Sequence, residues 1–201
     1  CETVKETDII VELERQINDR LVNKEQPQNL EILILASYRP IAQYHWAQKL
    51  ALPDKLSEIQ VRFVDEPSNE KRIAQEIPIL EEISDEVSIK VKEQYEESPY
   101  PRWISLKLAH KPETIQDLVE NFNLKLSSYE IKNTMSPQIL IAGCGTGQHS
   151  IHTASRFKNS KILAVDLSKA SLAYAVRKTN ELGINNVNYS QGDILNLSKL
   201  N

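Results

Sequence analysis

The feature that most constrains this chain is a short apolar run, Ile139–Ala142, that leads straight into Gly143-Cys144-Gly145-Thr146-Gly147. Glycine is scarce elsewhere: of 5 glycines in 201 residues, all but two sit in this turn. An apolar run closed by such a turn, with a helical pattern following to about Phe157, reads as strand, turn, helix. Lys161–Val165 is a second run and ends at Asp166. Ser168–Leu182 then reads as a helix, with Ser168 as its N-cap and Gly183 as its C-cap. Val187–Tyr189 is a third, weaker strand, followed by Gln191-Gly192-Asp193-Ile194. Strand, helix, strand, helix, strand is the βαβαβ half of a doubly wound parallel sheet, so the expected class is α/β.

That order restricts the ligand. A glycine-rich turn lets a ligand approach the backbone closely, and the helix after it aims free N–H groups at a carboxylate or phosphate. Asp166, followed by Leu167, stands at the carboxyl end of the second strand, where a carboxylate accepts from both hydroxyls of a ribose. Asp193 ends the third strand, where the base of a nucleoside would lie. Its carboxylate can accept from an adenine amino group while the Ile194 N–H donates to a ring nitrogen. A dinucleotide-dependent oxidoreductase is the rival reading. Its fingerprint requires Gly or Ala at the sixth position of the turn, and here that position is Gln148.

The first part of the chain has another character. Ile9, Ile10, Leu13, Ile17 and Leu21 form a helical stripe. Leu30–Leu35 is apolar apart from Glu31 and is assigned to a buried helix, since its residues are good helix formers. A helix from Asp54 places Leu56, Ile59, Phe63 and Val64 on one face. Ser84–Glu97 is a helix bearing Val87, Ile89, Val91 and Tyr95, halted by Ser98-Pro99. Residues 1–97 are therefore expected to be an all-helical segment. Residues 98–136 form a connector with one helix at Pro112–Phe122, and residues 137–201 a partial Rossmann-like domain. Within the connector, Tyr100-Pro101-Arg102-Trp103 could fold over a bound cofactor, with Arg102 facing its carboxylate or the acceptor. The competing reading is a plug that packs two domains together. The charge run Glu93–Glu97 reads as a solvated helix face.

Composition narrows the class further. Residues 1–137 are acidic, which argues against a nucleic-acid-binding front end, and the small basic excess after 138 is scattered over helix faces. No apolar run is long enough to span a membrane. Cys1 and Cys144 give neither a disulfide framework nor zinc spacing, so the cytoplasm is the expected compartment. His149 and His152 share a helix face without a third ligand, so no metal site is assigned. Cys144 has no basic neighbour in sequence and is read as a small turn residue.

The Gly143–Gln148 turn together with Asp193 is similar to the Rossmann-like S-adenosylmethionine-dependent methyltransferases. A closer likeness comes from "SYRPIAQYHW", "EPSNEKRIAQEIPILEEISDEVSIKVKEQYEESPYPRW" and "ILIAGCGTGQHSI" in that order. This resembles a group of bacterial methyltransferases in which tetratricopeptide repeats precede the catalytic domain; Ser98 stands where that group usually has Asn. The resemblance spans roughly residues 30–195. It implies S-adenosylmethionine as the small-molecule cofactor, the Gly143–Gln148 turn (Gly143, Cys144, Gly145, Thr146, Gly147, Gln148) holding its methionine part, Asp166 with Leu167 its ribose, and Asp193 with Ile194 its adenine. It also implies repeats upstream of Cys1, a route to a protein partner, and further strands after Asn201, so that this piece alone would expose the Gln138–Ala142 edge and transfer no methyl groups. Neither a catalytic residue nor the methyl acceptor is assigned. A helical scaffold with an unused nucleoside site is the alternative from another class.

Overall fold

The computed structural model describes residues 3–197, which fall into two compact units divided between Asn69 and Glu70. The division therefore falls earlier than the boundary at residue 97 expected from the sequence.

The first unit is helical. Helix α1 (Val4–Val22) starts in a capping box, Thr3 with Glu6, and α2 is Asn29–Tyr38. An ion pair between Arg20 and Glu31 at 2.8 Å ties them, and Ile10, Ile17, Leu21, Ile32 and Leu35 pack with Ile41, Trp46 and Val64 in one core. The stripe on α1 is narrower than its sequence suggests, because Ile9 is 64% exposed; on α2, Leu30 likewise faces outward. After short 3-10 turns come α3 (Ser57–Gln60), a π turn over Val61–Asp65, and α4 (Glu66–Glu76). Pro67 has no N–H to continue the ladder, and the helix widens to π geometry just before it. The widened turn rotates Phe63 outward, away from the face predicted for it, while Val64 is buried.

The second unit contains α5 (Glu86–Glu97), α6 (Ile115–Asn121), α7 (Tyr129–Lys132) and the expected alternation: β1 (Gln138–Ala142), α8 (Gln148–Arg156), β2 (Lys161–Asp166), α9 (Lys169–Glu181) and β3 (Val187–Gln191). The strands are parallel in the order β1-β2-β3, with Ile141 level with Ala164 and Ala164 level with Tyr189. This is the βαβαβ half of a doubly wound sheet. Successive side chains alternate between the two faces of a strand. One face, carrying Ile139, Ile141, Ile162, Ala164, Val187 and Tyr189, packs on Ala154 of α8 and on Leu172, Ala173 and Ala175 of α9. On the other face Leu140 is 52% exposed.

Residues 70–97 are not purely helical. Pro78–Leu80 runs parallel to β3 and exchanges backbone hydrogen bonds with Gln191 at 2.8 and 2.9 Å, covering that edge of the sheet. The opposite edge, β1, has no further strand among the described residues. Helix α5 also differs from its sequence reading. Its buried position is Ser88, whereas Val87, Ile89, Val91 and Tyr95 are exposed.

Candidate functional site

The site is built at the carboxyl ends of the three strands, where loops leave a parallel sheet. After β1 the chain reverses direction through Gly143, Gly145 and Gly147, all with positive φ. The N–H groups of Gly143 and Cys144 both donate to the Val165 carbonyl, at 2.8 and 3.0 Å, which fixes the turn to the neighbouring strand. Gly147, at φ +85°, is the N-cap of α8, and no side chain caps that helix. The first-turn N–H groups thus have no hydrogen bond to an N-cap side chain.

Asp166 closes β2 and faces this turn. Its Oδ2 accepts the Gly145 N–H at 2.8 Å and its Oδ1 the Ser168 N–H at 3.0 Å. Each carboxylate oxygen keeps a second lone pair, so both can still accept a hydroxyl. Ser168 caps α9 as expected, taking the Ser171 N–H at 3.0 Å. Leu167 is held through its carbonyl by the Gln191 side-chain amide at 2.7 Å. Asp193, just beyond β3, is fully buried; Oδ1 accepts the Leu195 N–H at 2.9 Å, and Oδ2 has no hydrogen-bond partner among the described residues. A buried carboxylate oxygen without a donor is costly, and such an atom in a native fold calls for a ligand or water to complete it. Ile194 follows with its side chain in solvent. The turn after β1, Asp166 and Asp193 thus follow one another along the same end of the sheet, as expected.

Cys144 is buried against the turn. Burial, reinforced by the Asp166 carboxylate, pushes its thiol well above the usual thiol range, which keeps it protonated and unreactive. Among the described residues no group of His, Cys, Asp and Glu is arranged to hold a metal ion. Nor is any described helix long and apolar enough to cross a membrane.

Arg102 does not take the place the sequence suggested. Its guanidinium pairs with the buried Glu70 carboxylate and lies 5.1 Å over the Tyr174 ring, so its charge is already engaged. Glu70 also accepts from Arg177 at 2.9 Å, and Arg177 pairs with Glu181. The rest of the motif packs directly on the glycine turn. Trp103 Nε1 donates to the Thr146 carbonyl at 3.0 Å, and the Thr146 hydroxyl donates to the Pro101 carbonyl at 2.7 Å. Glu96, read from sequence as part of a solvated face, instead accepts the Lys169 and Ala170 N–H groups at the start of α9, at 2.6 and 3.0 Å. Sequence reasoning missed Glu70, Glu96 and Gln191, since each acts on a partner far along the chain. For Gln191 alone a signal existed: it immediately precedes the Gly192-Asp193 pair that ends β3.

Residues 139–201 match the family described as a methyltransferase domain, a family of S-adenosylmethionine-dependent enzymes. Over 68 residues the chain is 34% identical to a tRNA (guanine-N(7)-)-methyltransferase of Rubrobacter xylanophilus, covering 34% of this chain and 30% of that protein. The chain thus spans under a third of the curated relative that it matches. A solved structure titled for conversion of a disulfide bond into a thioacetal group during echinomycin biosynthesis aligns at 22% identity and a TM-score of 0.34, covering 55% of this chain and 40% of its own. Coclaurine N-methyltransferase bound to N-methylheliamine and SAH aligns at 16% identity and a TM-score of 0.30, covering 94% and 46% respectively.

Proposed function

We propose that the carboxyl ends of β1, β2 and β3 bind S-adenosylmethionine and that the protein transfers its methyl group to an acceptor. The observation that carries this reading is the unpartnered Oδ2 of the buried Asp193, which needs a donor such as the adenine amino group. The Ile194 N–H would donate to the adjacent ring nitrogen. Asp166, with Leu167 beside it, would accept the ribose hydroxyls on its remaining lone pairs. The Gly143–Gln148 turn and the first turn of α8 would receive the methionine carboxylate. Bound there, the sulfonium supplies a strong methyl electrophile. The protein's share of the chemistry is then to orient an acceptor in line and to exclude water.

Nothing in this chain asks for the tRNA named for the bacterial relative, and no acceptor is assigned. A net charge of −4 gives this chain no general attraction for a polyanion. The resemblance to methyltransferases linked to tetratricopeptide repeats supports a protein partner met through such repeats, and the cysteine usage supports a cytoplasmic compartment.

The test is calorimetric titration of the intact protein with S-adenosylhomocysteine. Binding at one site per chain, weakened by Asp193→Asn, is the expected result. No binding refutes the reading.

A further inference from the structure

Residues 96–103 lie outside the stretch that matches the methyltransferase domain, yet they touch it at two chosen places. At one end, the Glu96 carboxylate holds the first two N–H groups of α9, directly after Asp166-Leu167-Ser168. At the other, Trp103 and Pro101 bond both to the carbonyl and to the hydroxyl of Thr146, in the middle of the glycine turn. Thr146 is only 2% exposed, so these bonds are shielded from water. The Trp103 ring is anchored from behind by Ile151 and Tyr174, and the Tyr174 hydroxyl donates to the Trp103 carbonyl. Arg102, between the two ends, is engaged by Glu70.

The segment therefore joins the loop after β1 to the loop after β2. These are the two loops between which the proposed function places the methionine and ribose parts of the cofactor. We propose that Glu96–Trp103 is a strap that sets the separation of these loops, and that Trp103 and Glu96 are positioning residues for S-adenosylmethionine. This inference rests on the cofactor reading given above. A segment that merely filled space between α5 and the sheet would need apolar contact only. Here the bonds go to the backbone and hydroxyl of the turn itself and to the N-terminus of the helix that follows Asp166.

Trp103→Phe keeps an aromatic ring against Ile151 and Tyr174 and removes the N–H donor together with part of the indole. Glu96→Gln keeps the shape and removes the charge. In the intact protein, calorimetry with S-adenosylhomocysteine should show about three- to tenfold weaker binding for each, the loss of one net hydrogen bond's worth of preorganisation. KM for S-adenosylmethionine should rise by a similar factor, with little change in kcat. Thr146→Val, which removes the hydroxyl bond to Pro101, is the independent variant should Trp103→Phe not fold. In a Trp46→Phe background Trp103 is the sole tryptophan. Its emission should shift on adding S-adenosylhomocysteine. If the unmodified protein binds and the variants melt lower yet bind equally well, the segment is only a plug and the strap is refuted. If the unmodified protein does not bind at all, the cofactor reading falls, and the strap with it.

Discussion

Gly147 is the tightest position in the site. Its φ of +85° is one that L residues with a side chain rarely adopt, and a Cβ there would lie 2.6 Å from the Ala175 Cβ and 3.0 Å from the Tyr189 hydroxyl. Gly147→Ala therefore meets two separate costs. The left-handed backbone costs about 1–2 kcal/mol, and overpacking against α9 about 1–3 kcal/mol, for a total loss of about 2–5 kcal/mol. Gly143 provides the control. Its φ is +72°, but nothing lies within 4 Å of an added Cβ, so Gly143→Ala should lose only the backbone share. The steric share can be isolated, because the nearest obstacle is a single methyl group. In a double-mutant cycle, Ala175→Gly costs about 1 kcal/mol alone as a helix glycine, yet should recover about 1–2 kcal/mol of the loss when combined with Gly147→Ala. Urea denaturation followed by tryptophan fluorescence would measure all five proteins, the unmodified one and the Gly143→Ala control included. Equal losses for Gly147→Ala and Gly143→Ala, or a cycle without coupling, would refute the argument that α8 and α9 meet at this glycine.

Four further outcomes are expected. Asp166→Ala should lower both S-adenosylhomocysteine affinity and stability, the latter by about 1.5–3 kcal/mol as two backbone N–H groups lose a charged acceptor, whereas Asp193→Asn should raise the melting temperature of cofactor-free protein while weakening binding; scanning calorimetry with and without ligand separates the two. Glu70→Ala removes a carboxylate from buried Arg177 and should cost about 3 kcal/mol in urea denaturation, the lower end for a broken buried pair because Glu181 remains beside it. Cys144 should resist a disulfide exchange reagent near pH ~8 in the folded protein and react on unfolding, since burial holds its thiol protonated where a free thiol has begun to ionise; peptide mapping identifies the modified residue. The β1 edge, which pairs with no further strand among the described residues, should promote association in solution, and Leu140→Lys should reduce it in light scattering.

What the sequence revealed and what it hid follow from the range of each signal. The glycine turn, Asp166 and Ser168 carry local sequence signals and were legible, whereas Gly183 lies one residue past the C-cap, Leu182, with a φ of +68°. The apolar face of α5 was legible as a face but not as to its direction. Val87, Val91 and Tyr95 share a side of the helix, but α5 engages α9 through the carboxylate of Glu96, a contact that no hydrophobic pattern encodes. The unit boundary within α4 was hidden for a similar reason, since neither composition nor a Gly- or Pro-rich linker marks it. Arg102 was misplaced because its motif is aromatic and basic beside a glycine turn, and only the fold shows Glu70 reaching that cation first.

The pairing of Glu70 with Arg177, 107 residues further along, bears on how the chain acquires its shape as it is made. The helical unit can collapse from contacts among its own first seventy or so residues. The next stretch has no such option: the carboxylate of Glu70 and the backbone of Pro78–Leu80 wait for α9 and for Gln191, which leave the ribosome only after α5 to β2 have been made. During that interval Ile73 and Ile77 are uncovered, because the sheet they pack against does not yet exist. The interval in which this protein is most open to chaperones and proteases is therefore expected to begin once Leu80 emerges and to end when β3 is complete.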